Sequence, residues 1–151
     1  MRTRHFNMRT QNTQKHIVTI ATLLLVFSLR CMAASPEAEA GFVADTKAAF
    51  DTKDAAKLES LVCWDGVTPK MKQMVIQELS GLVQRPVATV ELVTTDPVSD
   101  YGTRDGVTYK PNLAVIKKLK ISFKSDKPPE ADFFIGEKDG KLLITNAEPA
   151  K

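Results

Sequence analysis

From Ser35 onward the apolar positions first recur at helical spacing and then alternate. Ser35-Pro36-Glu37 sets a capping hydroxyl, a proline and an acid in order, the chemistry of a helix start. Phe42, Val43, Ala49 and Phe50 then form one apolar stripe, recurring at about seven residues. Asp51-Thr52-Lys53-Asp54 interrupts the stripe and caps a second helix, expected over Asp54–Val62 with Leu58, Leu61 and Val62 on one face. Trp64-Asp65-Gly66 ends that helix, because glycine takes the left-handed conformation without strain. Thr68-Pro69 repeats the cap-then-proline start. Met71, Val75, Leu79 and Leu82 follow at helical spacing, and Met74 and Val83 widen the stripe to a core-facing width. Arg85-Pro86 closes the helical half.

Beyond Pro86 the period becomes two. Val87–Thr94 is β-branched and predicts a strand with Ala88, Val90 and Leu92 on one face. Asp105-Gly106, between Tyr101–Arg104 and Val107–Lys110, predicts a short hairpin or a tight turn. Leu113–Lys124 alternates cleanly: Leu119, Ile121 and Phe123 face one way, and Lys118, Lys120, Ser122 and Lys124 the other. Ser125–Glu130 predicts a turn or a mobile loop. Ala131–Lys138 and Lys141–Ala147 flank Asp139-Gly140, a second hairpin that pairs Lys138 with Lys141, Ile135 with Ile144 and Phe133 with Asn146. The expected fold is α+β: three N-terminal helices packed on a curled antiparallel sheet of about four strands.

The first residues follow another logic. A basic segment, Met1–Lys15, precedes an apolar run, Ile17–Leu29, and the small residues Ala33 and Ala34 follow. That is the layout of a secretory signal peptide over residues 1–34, with a run too short for a comfortable bilayer crossing. The domain then spans residues 35–151, is exported to the periplasm or the exterior, and keeps no membrane span after cleavage. The split changes the charge picture. The whole chain has 21 basic and 18 acidic residues, a net of +3. Removing Arg2, Arg4, Arg9, Lys15 and Arg30 leaves 16 against 18, a net of −2. A nucleic-acid partner is not expected at that balance. His5, His16 and Cys31 also leave with the leader. What remains has no histidine and one cysteine, Cys63, which excludes a histidine-based triad, a His/Cys zinc site and an intrachain disulfide. No metal or cofactor is expected. Cys63, between Val62 and Trp64, reads as a buried small hydrophobe.

The phrase Ala49-Phe50-Asp51-Thr52-Lys53-Asp54-Ala55-Ala56-Lys57-Leu58-Glu59-Ser60-Leu61 resembles the opening of the NTF2-like superfamily, which includes SnoaL-like and ketosteroid-isomerase-like proteins. The helices-then-sheet order over residues 36–147 is similar. The resemblance implies a conical, cystatin-like arrangement whose open end holds a small apolar ligand. Such folds include both enzymes and plain binding or dimerising modules, so the fold does not decide between them.

An enzyme built on such a pocket needs a carboxylate base and a hydrogen-bond donor beside an apolar cavity. Asp132, next to Phe133 and Phe134, and Asp65, next to Trp64, are the candidate bases; Tyr109, Tyr101 and Trp64 are the candidate donors, with Tyr109 taken first. The candidate ligand-binding residues are Trp64, Tyr109 and Phe134. Lys117, Lys118, Lys120, Lys124 and Lys127 form a basic concentration that reads as a solvated sheet face. The leading expectation is an exported, non-enzymatic domain that binds a small apolar ligand or an exported protein partner. The alternatives are a pocket enzyme of isomerase or hydro-lyase type, and a structural protein that self-associates, as a homodimer for instance.

Overall fold

A computed structural model describes residues 34–124 and 128–150. The leader expectation, with Cys31 and both histidines, lies outside the described residues, as do Ser125, Asp126 and Lys127 of the predicted turn. Among the described residues no helix is long and apolar enough to cross a membrane.

Helix α1 (Pro36–Asp51) starts where Ser35 Oγ accepts from Ala38 N at 3.2 Å. Helix α2 (Ala55–Glu59) is capped by Asp54, whose side chain accepts from Lys57 N at 3.0 Å. Helix α3 (Pro69–Leu82) is capped by Thr68, which accepts from Met71 N at 3.3 Å. All three caps are those read from the sequence. Not all of the helices are N-terminal, since α3 ends past the midpoint of the chain. The second helix is shorter than expected. Ser60–Val62 leaves the helix because β-sheet hydrogen bonds compete for it: Ile144 N donates to Leu61 O at 2.7 Å, and Cys63 N donates to Ile144 O at 2.9 Å. Val62 thereby forms a parallel bridge with Ile144.

The strands are β1 (Val87–Val93), β2 (Gly102–Arg104), β3 (Val107–Pro111), β4 (Val115–Phe123), β5 (Glu130–Lys138), β6 (Lys141–Ile144) and β7 (Ala147–Pro149). A curled antiparallel sheet has the order β1-β4-β5-β6, and a second, smaller sheet has the order β2-β3-β7. Both Asp-Gly turns form as read. Asp105 and Asp139 take φ values of 53° and 52°, followed by Gly106 and Gly140 at 76° and 74°, the double positive-φ pattern of a tight hairpin. Lys138 pairs with Lys141, and Ile135 with Ile144.

Two readings of the strands change. Ala88 is exposed, because β1 bulges between Val87 and Thr89. The extra residue resets the alternation, so Val87 joins Val90 and Leu92 against the core. The expected strand Lys141–Ala147 ends at Ile144. Thr145 N still donates to Phe134 O at 2.8 Å, but Asn146 does not pair with Phe133, and the chain crosses to the smaller sheet as β7.

The core gathers Phe42, Ala49 and Phe50 of α1, Leu58, Val62, Leu79 and Val83, and the sheet residues Val90, Leu119, Ile121, Phe123, Ile135, Leu142 and Ile144. Helix α1 packs against β1 and β6, the two edge strands of the larger sheet. Helix α2 lies between α1 and α3. Cys63 is buried, as its apolar neighbours predicted.

Candidate functional site

Helix α3 buries little of itself. Leu79 is its buried residue, and Val75 and Leu82 pack at the core margin. Met74, read from the sequence as part of a core-facing stripe, is 50% exposed. The reason lies in the partner. The β2–β3 hairpin stands opposite the first turns of α3 but does not close on them, and a cleft of about 520 Å³ remains. Met71 and Met74 form one wall, Tyr101 and Tyr109 the other, and Lys70 and Arg104 stand at the rim with Asp105.

A second cavity of about 300 Å³, itself open to solvent, is lined by Val62, Val75, Leu79, Phe133 and Phe134, with Glu78 and Asp132. Tyr101 and Ala147 line both spaces. Tyr101, one of the donors named from the sequence, therefore borders both spaces. Its backbone N donates to Tyr109 O at 2.7 Å. Its ring stacks on Phe134 with centroids 5.9 Å apart. Its hydroxyl shares a hydrogen bond with Thr145 Oγ1 at 2.6 Å. Burial pushes this phenol above the ordinary tyrosine range, and the bond to Thr145 opposes that shift without cancelling it.

The residues singled out in the sequence divide between these places. Tyr109 lines the cleft. Phe134 and Asp132 line the second cavity. Trp64 and Asp65 line neither. Trp64 closes the end of α2, where its Nε1 donates to Glu59 O at 3.2 Å, and Lys72 Nζ stands 5.0 Å from its ring centre. That is an anchoring position with a cation above the indole face.

Both candidate bases are exposed and paired. Asp132 accepts from Lys118 Nζ at 2.9 Å, and its side chain is 44% exposed. Asp65 accepts from Lys138 Nζ. The hydrogen bond and charge of Asp65 raise the lysine's pKa, and Glu130 does the same for Lys120. Phe133 and Phe134 point to opposite faces of β5, as strand geometry requires, so they do not jointly enclose Asp132. Three lysines of the concentration are paired in the same manner: Lys117 with Glu39, Lys118 with Asp132, and Lys120 with Glu130. Among the described residues these ion pairs answer most of the positive charge on β4. Among the described residues no group of three or more histidine, cysteine or carboxylate side chains is placed to hold a metal ion.

The fold and cavities thus define an α+β domain with a curled four-stranded sheet and an amphipathic cleft beside it. Compared with family models, with curated proteins and with solved structures, the chain matches none.

Proposed function

We propose that this chain is an exported binding domain of NTF2-like, conical build, in which the cleft between α3 and the β2–β3 hairpin takes a small amphipathic ligand without chemical conversion. The observation that carries the reading is the half-exposed Met74 facing Tyr101 and Tyr109 across a cleft of about 520 Å³. That volume falls in the range of small-molecule sites, about 300–1,000 Å³. Methionine and tyrosine supply adaptable apolar area with polar tips. The pairing of Asp65 and Asp132 with lysines supports binding over catalysis, because neither acid is desolvated beside a donor. The signal-peptide layout of residues 1–34 supports export.

The test uses 8-anilinonaphthalene-1-sulfonate, an amphipathic anion, as a probe of the purified protein. Saturable one-to-one binding is expected, with at least tenfold weaker binding to Met74→Glu. Met74 is half exposed, so this substitution does not disturb the core. Binding that ignores Met74→Glu, or no saturable binding, overturns the assignment.

A further inference from the structure

The two walls of the cleft differ in kind. On one side Tyr101 is fixed: its ring stacks on Phe134, its hydroxyl bonds Thr145, and its backbone is tied to Tyr109. On the other side Met71 and Met74, from the first turns of α3, are unbranched thioethers that adapt to what lies against them. Both walls favour the same kind of guest. Aromatic rings attract other rings at their faces and edges, and thioether sulfurs attract ring edges. The rim adds a sign. Lys70 has no carboxylate partner among the described residues. Arg104 meets Asp105 at 3.9 Å, with side chains 79% and 93% exposed, a loose contact that an incoming carboxylate replaces at little cost. Two cations therefore stand at the rim against one acid. The Tyr109 hydroxyl, with no hydrogen-bond partner among the described residues, is a further donor in the same cleft.

We infer that the cleft takes an aryl carboxylate, its ring between the methionine and tyrosine walls and its carboxylate at Lys70 and Arg104. The inference rests on the reading of the cleft as a ligand site and names the ligand class. A space of about 520 Å³ accommodates a fused two-ring system. The two contributions differ in size. The rim is wet, so its ion pairs are worth little each and set the sign of the ligand. Burial of the ring between the walls supplies most of the affinity. A ligand bearing an ammonium group meets the reverse balance at the rim, with Asp105 its one attraction and two cations repelling it.

The experiment is calorimetric titration of the purified protein with four matched compounds: 2-naphthoate, naphthalene-2-methanol, 2-naphthylmethylammonium and decahydro-2-naphthoate. The first three share a ring and differ in charge. The fourth keeps the charge and loses the aromatic system. Naphthoate is expected to bind about three- to fivefold more tightly than the alcohol, the worth of an exposed ion pair, and the ammonium compound more weakly than either. High salt narrows the spread. Both rim cations are exposed, so the double variant Lys70→Gln with Arg104→Gln folds as the native chain does. In it, naphthoate and the alcohol are expected to bind within about twofold of each other. The double variant Met71→Leu with Met74→Leu keeps the apolar area and removes the sulfurs. It lowers the ratio of naphthoate to decahydronaphthoate affinity by about two- to tenfold. Equal binding of the three charge types, with Met74→Glu weakening all of them, overturns the inference and leaves the cleft standing. A charge preference that survives the loss of Lys70 and Arg104 overturns it too, as does an unchanged aromatic ratio without the sulfurs. No binding of any naphthyl compound alongside intact binding of the sulfonate probe overturns the ligand class alone, and loss of both overturns the cleft reading as well.

Discussion

Asn112 and Asn146 hold each other through a reciprocal pair of hydrogen bonds. Asn112 N donates to Asn146 O at 2.9 Å, and Asn146 N donates to Asn112 Oδ1 at 2.8 Å. The Asn112 amide nitrogen then donates to Cys63 O and to Asp65 O, both at 2.9 Å. One side chain thus ties the exit of α2, the approach to β4 and the crossing from β6 to β7. That crossing places Ala147 in the wall shared by the two cavities. The wall of the cleft is held in shape by polar bonds several residues away from it.

Asn112→Ala leaves two carbonyls and one amide without these partners. A loss of about 2–4 kcal/mol in unfolding free energy is expected in urea titration, at about 1 kcal/mol or more for each unmatched group. Asn112→Asp is more informative. A carboxylate offers no donor to the Cys63 and Asp65 carbonyls, so its charged form is disfavoured and its folded-state pKa rises above the unfolded value. Its stability relative to the native chain is then best below the ordinary aspartate range and falls as pH rises through it. A flat difference between pH 3 and pH 7 would show that the amide donors contribute nothing.

Gly136 is held to glycine by close approach. A Cβ at that position lies 2.5 Å from Leu113 Cβ and 2.8 Å from Ala114 O, beside the bulge where β4 passes over β5. Gly136→Ala forces the β4 entry away from the sheet and is expected to cost about 1–3 kcal/mol, the usual range for an overpacked site. Chemical denaturation measures it. Because the displaced segment includes the neighbours of Asn112, the same variant is expected to weaken sulfonate-probe binding at the cleft.

The sequence carried the local chemistry well and the long-range crossings poorly. Ser35, Asp54 and Thr68 cap their helices, and the Asp139-Gly140 turn sets its register, because each decision is made within a few residues. The bulge at Ala88 and the crossing at Asn146 depend on partners far along the chain, at Phe123 and Asn112. The site suffered for the same reason. Tyr109 and Phe134 do border cavities, but Met74 matches a core stripe by spacing and is exposed because the opposing hairpin stays back from it. Asp132 looks enclosed in one dimension, between apolar neighbours, and is open in three because alternate strand residues face apart.

Tyr101 titrates late. Its phenol is raised above the ordinary value near 10 by burial, and its folded-state proton is held more tightly than in the unfolded chain. The stability tied to that proton is fully present below pH 10 and is lost as pH rises through the folded value. The raised lysines, Lys120 and Lys138, act in the same alkaline window. Spectrophotometric titration at tyrosinate wavelengths is expected to show a late component that disappears in Tyr101→Phe. A late component that persists in that variant assigns the shift to another group.

Asp132 separates binding from catalysis. Its carboxylate pairs with Lys118 across neighbouring strands, and both side chains reach solvent. An exposed pair of this kind contributes about 0–1 kcal/mol. Asp132→Asn is therefore expected to change unfolding free energy by less than about 1 kcal/mol, and the effect shrinks in high salt as the charges are screened. It is also expected to leave sulfonate-probe affinity within about threefold, since Asp132 does not line the cleft. A general base behaves differently: replacing it by its amide removes turnover and spares binding. If a host extract supports conversion of a bound ligand by the native protein and Asp132→Asn abolishes it with affinity unchanged, Asp132 is a base and the binding-only reading falls. If the bound ligand is released unaltered from both proteins, the lysine pair is structural and the domain is a carrier.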